Sequence, residues 1–189
     1  MFKPKNKLAF LSLTNFIFLS FALPTGANDT SSIFYVSKND NGNQIHYGIR
    51  LNRNCLPEGS NPVYVYWLRE NRTTGNLLSV EEPAYGILNQ SISASTVEVR
   101  LKFFQDRGIQ KPISFRTARL NNGSCQARAF TTINGKQRQL SNIRIFLKDI
   151  MRNPLNGSTL GGTVVNLSLV SSNKDEEVIS CTSNCRFGI

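Results

Sequence analysis

The pattern that most restricts the fold lies in residues 45–69. From Ile45 to Asn52, the apolar Ile45, Tyr47, Ile49 and Leu51 alternate with His46, Gly48, Arg50 and Asn52, the two-residue period of a strand with one apolar face. A loop holding Cys55 and the breakers Pro57, Gly59 and Pro62 follows. Val63 to Arg69 then carries apolar or aromatic residues on both faces, Val63, Val65 and Trp67 against Tyr64, Tyr66 and Leu68. A strand apolar on both sides is central in a sandwich or lines a barrel with a covered exterior. The two segments predict a core hairpin holding the only His, the only Trp and three of the five Tyr of the chain.

The rest of the chain repeats the same signals. Ile33–Ser37 is a short β-type run, and Asn41-Gly42 behind it has the composition of a tight hairpin turn, which makes the next strand its partner. Thr96–Phe104 predicts a strand with Val97, Val99, Leu101 and Phe103 inward and Glu98, Arg100 and Lys102 in water. Segments 112–120, 125–133 and 139–148 are separated by Asn122-Gly123 and Asn134-Gly135, which describes a meander. Thr163–Ser171 and Val178-Ile179 add two more strands, while 77–87 mixes helix formers with breakers and predicts an irregular stretch with a strand or helical turn. The expected fold is all-β: a single antiparallel domain over 28–189, of about nine or ten strands, as a barrel-like closure or a β-sandwich.

Residues 1–27 have the build of a signal peptide. Lys3, Lys5 and Lys7 precede an apolar run over 8–23, Pro24 breaks it, and Thr25-Gly26-Ala27 supplies small residues for cleavage. The run is shorter than the roughly 20 residues of a bilayer span, so no transmembrane segment is expected after cleavage. The expected location is outside the cytoplasm, in a periplasm or the extracellular space. Losing the three leader lysines lowers the net charge from +10 to +7, a balance that suits anionic partners such as envelope polymers or equally a solvated surface. Four cysteines in an oxidising compartment favour disulfides. Three connectivities are open to them, and the spacing favours the one in which Cys181 and Cys185 close a small loop and Cys55 meets Cys125. A zinc site is the alternative, but C-x3-C without a second close pair is a poor metal pattern.

Several of these pieces together carry a family likeness. Ile33-Phe-Tyr-Val-Ser-Lys-Asn, Ile45-His-Tyr-Gly-Ile-Arg-Leu, Cys55, Pro62-Val-Tyr-Val-Tyr-Trp, Glu82-Pro-Ala-Tyr-Gly-Ile and Cys125-Gln-Ala resemble the uncharacterised bacterial family known as domain of unknown function 4833, over roughly 33–180. The resemblance implies an exported bacterial protein and brings no activity with it. Cys181 to Ile189 stands outside the likeness.

Two kinds of site can be drawn from the residues. Tyr64, Tyr66, Trp67 and Tyr85 form a candidate aromatic platform for a sugar or other flat ligand, oriented by His46 and Arg50; the plainer alternative is that these aromatics are core. This points to a non-enzymatic binding module for a small molecule or an anionic envelope polymer. The alternative is a hydrolase using His46 as base, or a carboxylate pair from Glu70, Glu81 and Glu82. No nucleophile turn, phosphate-binding loop, dinucleotide fingerprint or metal-ligand cluster is present, so no cofactor, no metal and no specific nucleic acid is expected. Arg100, Lys102, Arg116, Arg128, Arg144 and Lys148 fall on outward positions of successive segments, a basic stripe if those segments are neighbours.

Overall fold

A computed structural model describes residues 32–40, 42–155, 157, 159–182 and 185–188. The expected leader over 1–27 lies outside the described residues. The twelve strands are β1 (Phe34–Lys38), β2 (Gln44–Ile49), β3 (Val63–Leu68), β4 (Thr74–Asn76), β5 (Ile87–Ser93), β6 (Thr96–Leu101), β7 (Ile113–Arg119), β8 (Cys125–Ile133), β9 (Lys136–Arg152), β10 (Thr159–Ser171), β11 (Glu176–Ser180) and β12 (Arg186–Gly188). Two one-turn helices, α1 (Glu82–Tyr85) and α2 (Lys102–Gln105), complete the structure.

All twelve strands belong to one sheet, ordered β4-β3-β2-β1-β9-β8-β7-β6-β5, with β10 also on β9 and β11 and β12 on β10. The long strand β9 joins the two halves: Lys136–Gln139 pairs with β8, Asn142–Ile145 with β1, and β10 runs along it from Leu140 to Arg152. Because β8 and β1 diverge from a single strand, the halves fold toward one another and the Phe34 ring of β1 reaches Phe115 of β7, with centroids 5.8 Å apart. Phe34, Ile45, Tyr47 and Ile143 from one half and Val97, Val99, Ile113 and Phe115 from the other share one buried core. Each such side chain, fully removed from water, contributes about 1.5–3 kcal/mol.

The all-β class holds, with three differences in detail. The sheet is open and does not close into a barrel, since β4 and β5 end the order. Nor is it antiparallel throughout: β1 and β9 are parallel, a pairing open to strands joined by a long connection. The strand number exceeds the expected nine or ten because three-residue pieces such as β4 and β12 are too short to leave a periodic trace. The seven-residue β5, whose positions are mostly exposed, also carries no apolar alternation and follows α1 where an irregular stretch is expected.

The expected strand over 96–104 stops at Leu101 and turns into α2. Phe103 and Phe104 are both buried, which consecutive positions of a strand with one wet face cannot achieve and a helical turn can. Lys102 consequently leaves the sheet surface and pairs with Glu82 at 3.3 Å. The Asn134-Gly135 turn has positive φ at both residues and a closing pair Ile133–Lys136, the two-residue hairpin its sequence asks for.

The two disulfides join Cys55 to Cys125 and Cys181 to Cys185, the pairing expected from the spacing. No helix among the described residues is long and apolar enough to cross a membrane.

Candidate ligand-binding cleft and aromatic ladder

The polar face of β2 is covered by rings. Register places Tyr35 of β1, His46 of β2 and Tyr66 of β3 side by side across three strands, and their rings stack with centroids 5.4 Å apart at each step. Tyr66 stacks in turn on Tyr64 at 5.9 Å. Gly48, directly opposite Tyr64, has no side chain, so the Tyr64 ring lies over it. The Arg50 guanidinium closes the row 5.2 Å from the centre of the Tyr64 ring, within cation–π range.

His46 is buried in this ladder with both ring nitrogens occupied. Gln44 Oε1 stands 3.0 Å from Nε2 and Ser32 Oγ 2.5 Å from Nδ1. A carbonyl oxygen facing Nε2 makes that nitrogen the N–H donor of a neutral ring, which leaves Nδ1 to accept from the hydroxyl. Burial lowers its pKa, so the ring is neutral at pH 7. Burial likewise raises the pKa of Tyr66, with the neighbouring Tyr64 adding to it. The ladder is therefore an uncharged stack with one cation, Arg50, at its end.

Of the six residues expected to form one site, the structure gathers four. His46, Arg50, Tyr64 and Tyr66 share the outer face; Trp67 and Tyr85 meet edge-on at 5.6 Å on the inner face of β3. Trp67 Nε1 donates to Glu81 Oε2 at 2.8 Å, and the Tyr47 hydroxyl donates to the Tyr85 carbonyl at 2.7 Å. The three glutamates each have a separate partner. Glu70 accepts from the Gly42 N–H, Glu81 accepts from Trp67 and the Leu78 N–H, and Glu82 pairs with Lys102.

A cleft of about 470 Å³ opens beside the ladder, where the two ends of the sheet approach each other. Arg50 and Tyr64 form one wall, Asn76 and Leu77 continue it after β4, and Leu88 and Asn89 of β5 stand across from them. Gln90 spans the gap. Its Nε2 donates to the Val63 carbonyl and its Oε1 accepts from the Val63 N–H, both at 2.9 Å, so one side-chain amide makes the two bonds a neighbouring strand would have made. The cleft thus offers a tyrosine edge, a guanidinium and the side-chain amides of Asn61, Asn76 and Asn89, a complement suited to a polar ligand.

Among the described residues, no cluster of three or more His, Cys, Asp or Glu side chains is placed to hold a metal ion. The basic stripe is divided: Arg100, Arg116 and Arg128 lie on the β5–β8 half, Arg144 and Lys148 on β9 beyond its contact with β8, and Lys102 on α2.

The sequence model of a family described as "Domain of unknown function (DUF4833)" matches residues 34–156. The chain belongs to the DUF4833 family. The DUF4833 span holds the whole ladder except Ser32, and the cleft and Cys55–Cys125 as well; β10 and everything after it lie beyond it. No curated protein and no solved structure matches the chain.

Proposed function

We propose that this DUF4833 protein is an exported bacterial binding module, acting without catalysis in the periplasm or outside the cell. Its cleft takes a small polar molecule, and the chemistry favours a sugar unit, free or at the end of an anionic envelope polymer. The observation that carries this reading is the double role of Tyr64, held over Gly48 between Tyr66 and Arg50 while also lining the cleft. A ring locked in place offers its edge and hydroxyl at little entropic cost, the amides of Asn76 and Asn89 suit hydroxyls, and Arg50 suits a carboxylate or phosphate. Two disulfides and the leader-like sequence support export.

The test is calorimetric titration of the oxidised protein with uronic acids, neutral sugars and short envelope oligosaccharides. Binding of at least one of these, weakened about tenfold in Tyr64→Ala or Arg50→Gln, is the expected result, each lost contact costing about 1.4 kcal/mol. Binding that ignores both substitutions would remove the cleft from consideration.

A further inference from the structure

The second half of the sheet has an outer face of a different kind. Arg116 of β7 and Arg128 of β8 stand directly opposite each other there, and both are exposed. Facing positions hold their Cβ atoms about 5 Å apart, and like charges so placed destabilise the pair. Arg116 is fixed in this position: Nη2 donates to Gln137 Oε1 at 2.7 Å and the guanidinium lies 4.7 Å above the Phe130 ring.

The face does not neutralise them. Its outward positions are Asn89, Ser91 and Ser93 on β5, Thr96, Glu98 and Arg100 on β6, Ser114, Arg116 and Ala118 on β7, and Gln126, Arg128, Phe130 and Thr132 on β8. Glu98 is the one carboxylate among them, and it faces Ser91 and Ser114 rather than an arginine. Besides the arginines, the remainder are hydroxyls and amides, with Ala118 and the Phe130 ring beneath Arg116. Ser93, Thr96, Arg116 and Arg128 line up in register across four strands, so a row of uncharged hydrogen-bonding groups leads to a pair of unneutralised guanidiniums.

We propose that this face binds an acidic polysaccharide, whose carboxylate bridges Arg116 and Arg128 while its hydroxyls run over Thr96 and Ser93. A bridging anion turns the repulsion between the arginines into attraction, and planar guanidiniums match carboxylates two bonds at a time. Nucleic acid is disfavoured because Phe130 already lies under Arg116, so no free ring is left for a base to stack on. A membrane is disfavoured because the large apolar side chain among these positions, Phe130, is half-buried with Arg116 lying over its ring. The site shares no residue with the cleft, and the proposal stands without it.

The experiment titrates the oxidised chain with a galacturonic acid oligomer across a salt series, with duplex DNA and anionic vesicles as parallel probes. The oligomer should bind with an affinity that falls as salt rises. Arg116→Gln and Arg128→Gln should each weaken it about tenfold and lower the salt slope by about 1, with Arg128→Lys in between. The salt-sensitive, arginine-dependent part of this binding should persist in a Tyr64→Ala background, where the cleft no longer contributes. Arg128→Gln, which removes one charge of a repelling pair and leaves the Arg116 contacts to Gln137 and Phe130 in place, should also hold or raise the melting temperature, so its loss of binding would not be a loss of folding. Equal affinity of the wild type and both arginine variants would overturn the proposal. So would DNA or vesicles binding as tightly through the same arginines, or a loss confined to Tyr64→Ala, which would put the polymer in the cleft.

Discussion

Tyr64 fills the space that a side chain on Gly48 would need: a Cβ there would stand 2.5 Å from both Cζ and Oη of the tyrosine. No such contact survives in a folded protein, so Gly48→Ala must push the ring off the strand, with Tyr66 and Arg50 stacked on either side of it. We expect Gly48→Ala to cost about 1–3 kcal/mol, the usual range for overpacking. In a Tyr64→Ala background the same change should cost little, because the ring is gone. Urea denaturation of the four proteins of the cycle gives the coupling, and strictly additive losses would show that the two residues do not compete for the space.

Gln90 offers a sharper test of how the open sheet is held. Its amide both donates to and accepts from the backbone of Val63, a residue that is itself buried. Gln90→Leu keeps the size and removes both bonds, stranding a peptide N–H and a C=O at a cost of about 1–3 kcal/mol each. Gln90→Glu keeps the acceptor but loses the donor. Hydrogen exchange at the Val63 amide should rise strongly in the leucine variant and less in the glutamate one. Unchanged protection in both would mean that the edge of β3 is covered by something other than Gln90.

How far the sequence reveals this arrangement depends on the residue. Strict alternation made β2 and β6 legible, and Asn134-Gly135 set the β8–β9 register because a two-residue turn leaves no freedom. The same reasoning misleads at the first hairpin. A two-residue turn at Asn41-Gly42 would set His46 opposite Ser37, but the pair that closes β1 and β2 is Ser37–Gln44 and His46 lies opposite Tyr35. Tyr35 therefore escaped the candidate site although it stacks on His46. Trp67 and Tyr85 were grouped with the other rings by residue type, whereas adjacent strand positions point to opposite faces and Trp67 follows Tyr66. Nothing local in the sequence marks Gln90, since its partner Val63 is 27 residues away and is engaged through its backbone.

The two disulfides should contribute unequally. Cys55 and Cys125 are 70 residues apart in sequence, Cys181 and Cys185 only 4. In the chain-entropy account the longer loop restricts the unfolded chain by about 4 kcal/mol and the shorter by about 2 kcal/mol. Cys55 is also buried, tying the β2–β3 loop to the start of β8. Replacing each pair by alanine and comparing urea midpoints should give the larger loss for Cys55 and Cys125. An equal or reversed order would show that the C-terminal loop does more than close on itself.

His46 gives the protein a stability that depends on pH, and the sign follows from its burial. Its folded-state pKa lies below the ordinary 6.5 because desolvation disfavours the charged ring. On acidification the unfolded chain takes up the proton first, so the stabilising contribution is complete above about pH 6.5 and is lost as pH falls from there toward the lower folded value. Glu177 titrates in a more acidic window. Burial alone would raise its pKa, but hydrogen bonds from Lys111 and the Asn134 N–H, with the Lys111 charge, outweigh that and lower it. Its contribution is present above the ordinary carboxylate pKa and fades below it, so it leaves the interval just under pH 6.5 to His46. Melting temperatures between pH 7.5 and pH 5 should therefore fall more steeply in the wild type than in His46→Gln, which cannot titrate. The protonated ring would also lose its acceptor nitrogen toward Ser32 and bring a second cation into the stack that Arg50 already caps. Parallel curves for the two proteins across that range would mean that the ring between Tyr35 and Tyr66 is not held neutral, and the description of the ladder as an uncharged stack would fail.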